Sequence, residues 1–259
     1  MNHLETIREK WERGECCFGT NVQLADAAVT ELMGSAGFDF IWLDCEHSTL
    51  GVADALQHIR AARGAGVPLF LRVPSGDAAT VKPFLELHPA AVIIPRVASV
   101  ADAEQAVTSC RYPPRGDRGF GPVRGIGFGA ITSSDYLAAE VDSMMVILQI
   151  EHIDAVAQID TILDVPGIDS ICVGPSDLCG SMGLPGQPEH PDVVGAIEQL
   201  FAAARRRGVP FGQSTGFDVE TVQQWLKTGP AWYSIDCDWS LLFKSARNVV
   251  DTVASLDRD

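Results

Sequence analysis

Eight short apolar segments, each followed by a turn and a helical pattern, restrict the fold of this 259-residue chain more than any other feature. The segments are nearly continuous in apolar residues, which is typical of parallel strands that helices cover. They predict strands at residues 17–20, 38–44, 69–73, 91–95, 145–150, 170–173, 210–213 and 232–236. Helical spacing predicts helices at residues 25–35, 52–63, 100–110, 192–207, 218–228 and 241–255.

Eight strands that alternate with about eight helices predict an α/β fold, namely a (β/α)8 or TIM barrel. A doubly wound open sheet is the alternative, but it usually has fewer strands, and its glycine-rich first turn is absent from this sequence. No linker or low-complexity segment divides the chain, of which 46% is hydrophobic. We therefore expect one globular domain over residues 1–259.

The charge balance limits the partners of the chain. It has 34 Asp and Glu against 19 Lys and Arg, and a net charge of −15 repels nucleic acid and anionic membranes. No apolar stretch approaches the roughly 20 residues of a membrane span, and the charged N-terminus lacks the apolar segment of a signal peptide. Seven scattered cysteines suit a reducing compartment. We expect a cytoplasmic protein that acts on small molecules and binds neither nucleic acid nor membrane.

The connection at residues 111–143 is long, rich in glycine, and basic within an acidic chain. Long loops in compact domains are often functional, so this one predicts contact with an anion. The alternative is that its arginines form ion pairs with neighbouring carboxylates. The arginines are Arg111, Arg115, Arg118 and Arg124.

Reactive side chains occur where predicted strands end, and in a parallel barrel these ends meet at one face. Asp44, Glu46 and His47 follow the second strand, where a histidine flanked by carboxylates is a candidate general base. A surface histidine that caps the next helix is the alternative. Arg72 ends the third strand, where its guanidinium suits a carboxylate or an enolate oxygen. A salt bridge from Arg72 to Asp44 or Glu86 is the alternative.

The fifth and sixth predicted strands end in two further polar groups. Gln149 and Glu151 share one face of the fifth strand because strand side chains alternate, and a buried Glu151 needs a cation nearby. Ser176 and Asp177 follow the sixth strand and predict a short helix whose N–H groups bind a carboxylate. Asp177 as an ordinary N-cap is the alternative. Together, Glu151 and Asp177 predict an oxygen-ligand site for Mg²⁺ or Mn²⁺.

Other reaction classes lack their motifs in this sequence. HxH and HExxH are absent, as are GxxxxGK[ST] and a GxGxxG after the first strand. These absences disfavour a zinc site and a nucleotide site. A Schiff-base enzyme needs a lysine at a strand end, but the lysines fall in helical segments. They are Lys10, Lys82, Lys227 and Lys244.

Six motifs in a fixed order carry a resemblance to a known family. They are FDFIWLDCEHSTLG (38–51), LRVP (71–74), IIPRVASVADAEQAV (93–107), RYPPRGDRGFG (111–121), ILQIEHIDAV (147–156) and ILDVPGIDSICVGPSDLCGSMG (162–183). Their order and spacing resemble the HpcH/HpaI aldolases, metal-dependent aldolases of the pyruvate class, over about residues 5 to 255. The resemblance implies a TIM barrel that cleaves and forms 4-hydroxy-2-oxo acids, with pyruvate or a related 2-oxo acid and an aldehyde as products.

The resemblance also implies roles for individual residues. Glu151 and Asp177 would be the ligands of a divalent cation, which could be Mg²⁺, Mn²⁺ or Co²⁺. Arg72 would contact the carbonyl and enolate oxygen of the 2-oxo acid. His47, supported by Asp44, would be the acid/base residue and act through a metal-bound water.

The remaining implied roles concern the binding of the 2-oxo acid. Gln149 would contact it, and the backbone of residues 174–177 would hold its carboxylate. The four residues of this segment are Gly174, Pro175, Ser176 and Asp177.

The sequence departs from the family pattern at several positions. Cys45 stands where glycine is usual, and Glu86 stands where an aspartate often helps to hold the histidine. Arg96 replaces a more usual apolar residue. The segment 121–125 also differs, and we expect its Arg124 to reach the acceptor aldehyde. These differences leave the acceptor and the details of proton transfer open.

Two other functions remain as alternatives. One is a citrate-lyase-like enzyme that cleaves carbon–carbon bonds in CoA thioesters, and the other is a barrel that binds ligands without catalysis. The enolate chemistry also predicts oxaloacetate decarboxylation as a side activity. Finally, the resemblance implies a homohexamer, a trimer of dimers, in which subunits exchange the helix at 241–255. Packing of that helix on its own barrel is the alternative.

Overall fold

The computed structural model describes residues 2–256 and shows a closed barrel of eight parallel strands in sequence order. Each strand pairs with the next, and β8 pairs back with β1. The strands are β1 (Cys17–Val22), β2 (Phe40–Asp44), β3 (Leu69–Arg72), β4 (Ala91–Val97), β5 (Met145–Ile150), β6 (Ser170–Val173), β7 (Phe211–Thr215) and β8 (Trp232–Cys237). The predicted (β/α)8 barrel is confirmed, with strand ends that shift by at most two residues.

Eleven α-helices occur within residues 2–256. They are α1 (Leu4–Glu12), α2 (Ala28–Ser35), α3 (Val52–Ala65), α4 (Ala78–Leu85), α5 (Val100–Cys110), α6 (Ser133–Ser143), α7 (Ile153–Ile162), α8 (Pro175–Ser181), α9 (Pro191–Arg207), α10 (Val219–Leu226) and α11 (Asp238–Ala254). The six predicted helices and the short helix expected at Ser176 are present. The sequence patterns give no bounds for α1, α4, α6 and α7, and α4 contains Pro83, which usually interrupts a helix.

Local hydrogen bonds explain where several helices begin and end. The Ser99 hydroxyl accepts the N–H of Asp102 at the start of α5, and the Asp77 carboxylate accepts the N–H of Thr80 at the start of α4. Gly208 ends α9 in the left-handed conformation, which glycine adopts without a steric penalty. These ends return the chain to the beginning of the next strand.

Aromatic side chains fill the barrel interior. Phe40 stacks on Phe70 with ring centroids 4.6 Å apart, and Trp232 packs edge-on against both rings. Trp42 lies 5.6 Å from Trp232. Gly212 provides the space for this packing, because a Cβ atom at that position would overlap the Trp232 indole. The interior is therefore a packed core, and a substrate can reach only the face where the strands end.

The long segment that follows α5 contains α6 and covers the opposite, N-terminal end of the barrel. Arg111 is almost fully buried, pairs with Asp169 at 2.7 Å and also donates to the carbonyl of Met144. Arg118 pairs with Glu86 at 3.0 Å. For Arg111 and Arg118, ion pairing with neighbouring carboxylates is therefore the observed role.

Helix α11 leaves the barrel surface after its first turn. Its first residues are packed, whereas the apolar side chains that follow are more than half exposed, namely Leu242, Phe243, Val249, Val250 and Val253. The alternative that this apolar face packs on its own barrel is therefore not observed. Among the helices of residues 2–256, none combines the length and the apolar character that crossing a membrane requires.

The contact between Gly212 and Trp232 generates a stability prediction. Gly212→Ala should lower the free energy of unfolding by about 1–3 kcal/mol, because the new methyl group overpacks the aromatic core. Gly216→Ala is the control, since a Cβ atom there meets no neighbour within 4 Å. Urea denaturation measures both variants, and equal stability of the two would contradict the packing argument.

Candidate active site

A buried ion pair between Asp44 and Arg72 lies where β2 and β3 end. The two residues are partners in the β2–β3 register, so their side chains meet inside the barrel. Arg72 donates to both carboxylate oxygens of Asp44, over 2.9 Å from Nε and 2.6 Å from Nη2. Burial alone raises the pKa of Asp44, but the hydrogen bonds and charge of Arg72 outweigh it and lower this pKa below its usual value. Both groups are therefore charged.

Further hydrogen bonds hold Asp44 in place. Its carboxylate accepts the backbone N–H groups of Glu46 and His47 at 3.0 and 3.1 Å, and the side-chain amide of Gln23 at 2.7 Å. The Gln23 carbonyl accepts the indole N–H of Trp239 at 2.6 Å. Gln23 is a site residue that the sequence patterns do not indicate, although it directly follows β1 and so belongs to the same set of strand ends. Asp44 therefore supports His47 through the main chain and not through the imidazole.

A chain of hydrogen bonds continues from Arg72 across the mouth, the open face of the barrel where the strands end. Arg72 Nη1 donates to Gln149 Oε1 at 3.3 Å, and Gln149 Nε2 donates to Glu151 Oε2 at 2.6 Å. The backbone N–H of Arg96 donates to Glu151 Oε1 at 2.8 Å. Gly174 closes the arrangement, because a Cβ atom there would overlap Glu151 Oε2. Gln149 and Glu151 thus share a face, as the strand alternation predicts.

His47 lies beside two carboxylates at the outer part of the mouth. Its Nε2 atom is 3.7 Å from Glu46 Oε2 and 3.9 Å from Asp177 Oδ2. The same Glu46 oxygen is 3.3 Å from Arg72 Nη1, yet it is buried without a hydrogen-bond partner among the described residues. Glu46 thus connects His47 to the Arg72 network. Its place beside His47 in the sequence indicates the contact with His47 but not the contact with Arg72.

The mouth carries an excess of negative charge. Four carboxylates, those of Asp44, Glu46, Glu151 and Asp177, lie there, and the Arg72 guanidinium pairs with the first two. Burial raises the pKa of Glu151 to about 7; the Arg96 N–H opposes this shift, and the charges of Asp177 and Glu46 add to it. Burial also raises the pKa of Glu46. An additional cation at this place would relieve the repulsion.

The donor set fits a divalent cation that is only partly coordinated by protein. Within the described part of the chain, no three His, Cys, Asp or Glu side chains are arranged as a metal cage. Glu151 and Asp177 offer two carboxylates, and the unpartnered oxygen of Glu46 lies near them. Mg²⁺ is commonly held by one or two carboxylates while water and substrate oxygens complete its octahedron. The residues present therefore fit the implied cation.

Helix α8 forms the edge of the mouth beside Glu151. Gly174 is its N-cap, Pro175 is its first residue, and Asp177 lies in its first turn. Because the first N–H groups of a helix have no partner within it, those of Ser176 and Asp177 are available to an anion. This geometry supports the expected carboxylate contact at residues 174–177.

Two predicted site residues, Glu86 and Arg124, are not part of this group. Glu86 follows α4 and pairs with Arg118, and Arg124 donates to the carbonyl of Leu87. Both residues come after helices and before the next strand, so they lie at the N-terminal end of the barrel. Within one chain, the expectations that Glu86 holds His47 and that Arg124 reaches the acceptor are therefore corrected.

Two other departures from the family pattern also have defined places. Cys45 is buried in the layer between the strands and the helices, where burial raises its pKa to about 12. The Arg96 side chain is exposed, and only its backbone N–H reaches the network. Arg96 has a φ of 59°, which turns this N–H toward Glu151 where the pairing of β4 with β5 shifts register.

Fold and site define an enzyme built on a TIM barrel with an acidic, cation-accepting mouth. A sequence model of the HpcH/HpaI aldolase/citrate lyase family matches residues 18–244, and the chain belongs to this family. It is 40% identical to a hydroxypyruvate/pyruvate aldolase of Sagittula stellata over 86% of this chain and 87% of that protein. It is 31% identical to a 5-keto-4-deoxy-D-glucarate aldolase of Klebsiella pneumoniae over 88% of each.

A solved structure supports the same assignment. The crystal structure of an HpcH/HpaI aldolase from Desulfitobacterium hafniense has a TM-score of 0.90 to this chain, with 30% identity over 97% of both chains. The predicted family, the TIM barrel and the carbon–carbon lyase class are therefore confirmed.

The ion pair at the centre of the site generates a second stability prediction. Asp44→Ala should lower the free energy of unfolding by about 3 kcal/mol, because it removes the main counter-charge of a buried guanidinium. Asp160→Ala is the control; it breaks an exposed pair with Arg206 and should cost about 1 kcal/mol or less. The measurement is urea denaturation of the two variants and the wild type. Similar losses in both variants would show that Arg72 does not depend on Asp44.

Proposed function

We propose that this chain is a divalent-cation-dependent aldolase. It cleaves 4-hydroxy-2-oxo acids to pyruvate, or a related 2-oxo acid, plus an aldehyde, and it catalyses the reverse reaction. The observation that carries the proposal is the buried network from Asp44 through Arg72 and Gln149 to Glu151, with Asp177 beside it. The relatives named hydroxypyruvate/pyruvate aldolase and 5-keto-4-deoxy-D-glucarate aldolase support the 2-oxo acid class.

Binding of the 2-oxo acid follows from the charges at the mouth. The N–H groups of Ser176 and Asp177 receive its carboxylate, and Arg72 faces its keto oxygen. The keto oxygen gains negative charge when the carbon–carbon bond breaks, so the interaction with Arg72 strengthens in the transition state. A divalent cation between Glu151 and Asp177 would supply further positive charge that stabilises this enolate.

Proton transfer is assigned to His47. In the cleavage direction it takes the proton of the 4-hydroxyl group, and in the synthetic direction it returns that proton to the new alkoxide. Its imidazole suits this task because it lies at the open edge of the mouth with 55% of its side chain exposed. Glu46 and Asp177 flank the ring and stabilise the imidazolium that forms. Oxaloacetate decarboxylation, a side activity in this proposal, gives the same enolate without deprotonation of a hydroxyl.

The citrate-lyase branch of the family is the alternative function. An enzyme of that kind acts on CoA thioesters and needs space and cations for the CoA phosphates. The mouth is acidic, with Arg72 already engaged by Asp44 and Glu46, which favours the small 2-oxo acid. Dependence of the activity on acetyl-CoA would support the alternative instead.

Assembly and location are part of the same proposal. The exposed apolar face of α11 favours exchange of this helix between subunits, and we propose a homohexamer, a trimer of dimers, of one-domain chains in the cytoplasm. Light scattering of the purified protein measures the assembly. A monomeric mass at micromolar concentration would contradict it.

The proposed cation site generates a prediction for metal binding and activity. Glu151→Gln and Asp177→Asn should each weaken Mn²⁺ binding and reduce pyruvate release by more than about a hundredfold, because each removes one of two anionic ligands. Asp160→Asn, which changes an exposed carboxylate, is the control. Mn²⁺ titration followed by electron paramagnetic resonance measures binding apart from activity. Full turnover by chelator-treated Asp177→Asn protein would refute the assignment.

The role of His47 generates a prediction that separates two reactions. His47→Ala should slow aldol cleavage by about a hundredfold or more, the usual effect of losing a general base. Oxaloacetate decarboxylation should slow by less than about tenfold, because it needs no hydroxyl deprotonation. His190→Ala, which changes the N-cap of α9, is the control. Equal losses in the two reactions would remove His47 from the proton-transfer step.

A further inference from the structure

A series of side-chain hydrogen bonds connects helix α11 to the buried ion pair. The indole N–H of Trp239, in the first turn of α11, donates to the side-chain carbonyl of Gln23 at 2.6 Å. The Gln23 amide nitrogen donates to Asp44 Oδ2 at 2.7 Å, and Arg72 Nη2 donates to that same oxygen at 2.6 Å. The helix that leaves the barrel surface after its first turn is thus connected to the centre of the site through one glutamine.

The two partners of the Gln23 amide permit only one orientation of this group. An indole N–H can donate but not accept, and an ionised carboxylate can accept but not donate. The amide oxygen therefore has to face Trp239, and the amide nitrogen has to face Asp44. A rotation of the amide by half a turn would break both hydrogen bonds. Trp239 thus helps to fix the donor that Gln23 offers to Asp44.

The first turn of α11 is itself held at the strand ends. Asp238, which is almost fully buried, accepts the backbone N–H groups of Gln23 and Leu24 at 3.0 and 2.9 Å. The main chain and the side chain of Gln23 are therefore both bonded to α11. The Trp239 residue itself is 53% exposed, and Phe243, one turn further along the helix, is 67% exposed. Core packing therefore explains the place of Trp239 less well than its hydrogen bond does.

Asp44 Oδ2 depends on Gln23 for one of its two hydrogen bonds. Oδ1 accepts Arg72 Nε and the backbone N–H groups of Glu46 and His47. Within the described residues, Oδ2 accepts only Arg72 Nη2 and the Gln23 amide. Asp44 is fully buried, so solvent does not supply a replacement donor. Loss of the Gln23 amide would therefore leave Oδ2 with one donor, and the carboxylate and its guanidinium would be free to turn together.

We infer that Gln23 and Trp239 are a positioning pair, through which helix α11 fixes the orientation of the Asp44–Arg72 ion pair. Neither residue needs to touch the substrate in this role. The inference rests on the proposed function, because there Arg72 faces the keto oxygen that becomes negatively charged. A small rotation of the ion pair would displace the guanidinium from that oxygen, and small displacements of a reacting or stabilising group can lower a rate strongly.

The test compares wild type with three variants of the series and two controls. Gln23→Met keeps the length of the side chain and removes the amide, and Trp239→Phe keeps an aromatic ring and removes the N–H. A double variant combines the two substitutions and shows whether Trp239 acts through Gln23. The controls are Gln158→Met, on the exposed surface of α7, and Phe243→Leu, on α11. With Mg²⁺ present, kcat and KM are measured for oxaloacetate decarboxylation and for the addition of pyruvate to glycolaldehyde.

We expect Gln23→Met to lower kcat about tenfold in both reactions, while KM for the 2-oxo acid changes by less than about threefold. Trp239→Phe should lower kcat about threefold, because Gln23 keeps its donor but loses its fixed orientation. The double variant should equal Gln23→Met, and both controls should keep the wild-type kcat. All variants should melt within about 3 °C of wild type, since the lost hydrogen bonds are partly exposed.

Three kinetic outcomes would overturn the inference. Additive losses in the double variant would show that Trp239 acts independently of Gln23. Equal losses in Phe243→Leu and Trp239→Phe would assign the effect of Trp239 to the packing of α11. A loss confined to the addition reaction would place the effect at His47 and not at Arg72.

A readout without substrate separates the inference from the proposed function. In ¹⁵N-labelled protein, the side-chain N–H signals of Trp239 and Arg72 are assigned from their loss in Trp239→Phe and Arg72→Lys. Gln23→Met should shift both signals and speed the exchange of the Arg72 Nε–H with water, whereas Gln158→Met should leave them unchanged. If wild type catalyses neither reaction, the proposed function fails, and these signals still decide the inference. An Arg72 signal that Gln23→Met does not affect contradicts it.

Discussion

The bidentate ion pair between Asp44 and Arg72 determines the arrangement of the whole mouth. It cross-links the ends of β2 and β3, and its two members hydrogen-bond Gln23, Gln149 and the main chain at Glu46 and His47. Asp44 holds the main chain at His47, while Arg72 orients Gln149 and, through it, Glu151. Burying two charges is costly unless their hydrogen-bonding capacity is filled, and here it is filled by neighbours to which the proposed reaction also gives roles. The positions of these side chains therefore follow from the requirements of one buried pair.

Much of the fold follows from the sequence pattern, because apolar strands and helical spacing are local signals. The eight strands are an example, and so is the shared face of Gln149 and Glu151, which strand alternation alone predicts. Gln23 is not predicted as a site residue, because it follows β1 directly and the sequence pattern places the end of that strand two residues too early. The contact of the Arg96 N–H with Glu151 is also not predictable from sequence. The direction of this N–H depends on a positive φ and on a register shift, and no residue type indicates either of them.

Residues that follow helices are the other source of error. Glu86 and Arg124 carry the right charges for the expected chemistry, and the resemblance to the family draws attention to both. In a barrel of βα units, however, a helix returns the chain to the end opposite the site. A residue after α4 or α5 therefore lies at the N-terminal end of the barrel, away from the site. Chemical type predicts what a side chain can do, and the position of its element along the βα unit decides where it does so.

The aromatic core beneath the mouth has a consequence for the order of events in the proposed reaction. Phe40, Phe70 and Trp232 seal the barrel, so both products of cleavage leave by a single opening. In the proposed binding mode, the 2-oxo acid lies deeper, against Arg72 and α8, and the aldehyde lies between it and solvent. The aldehyde thus departs first and the keto acid last, and in synthesis the keto acid has to enter before its partner. An aromatic core that closes the barrel thus leads to an ordered kinetic mechanism for the proposed reaction without a conformational change.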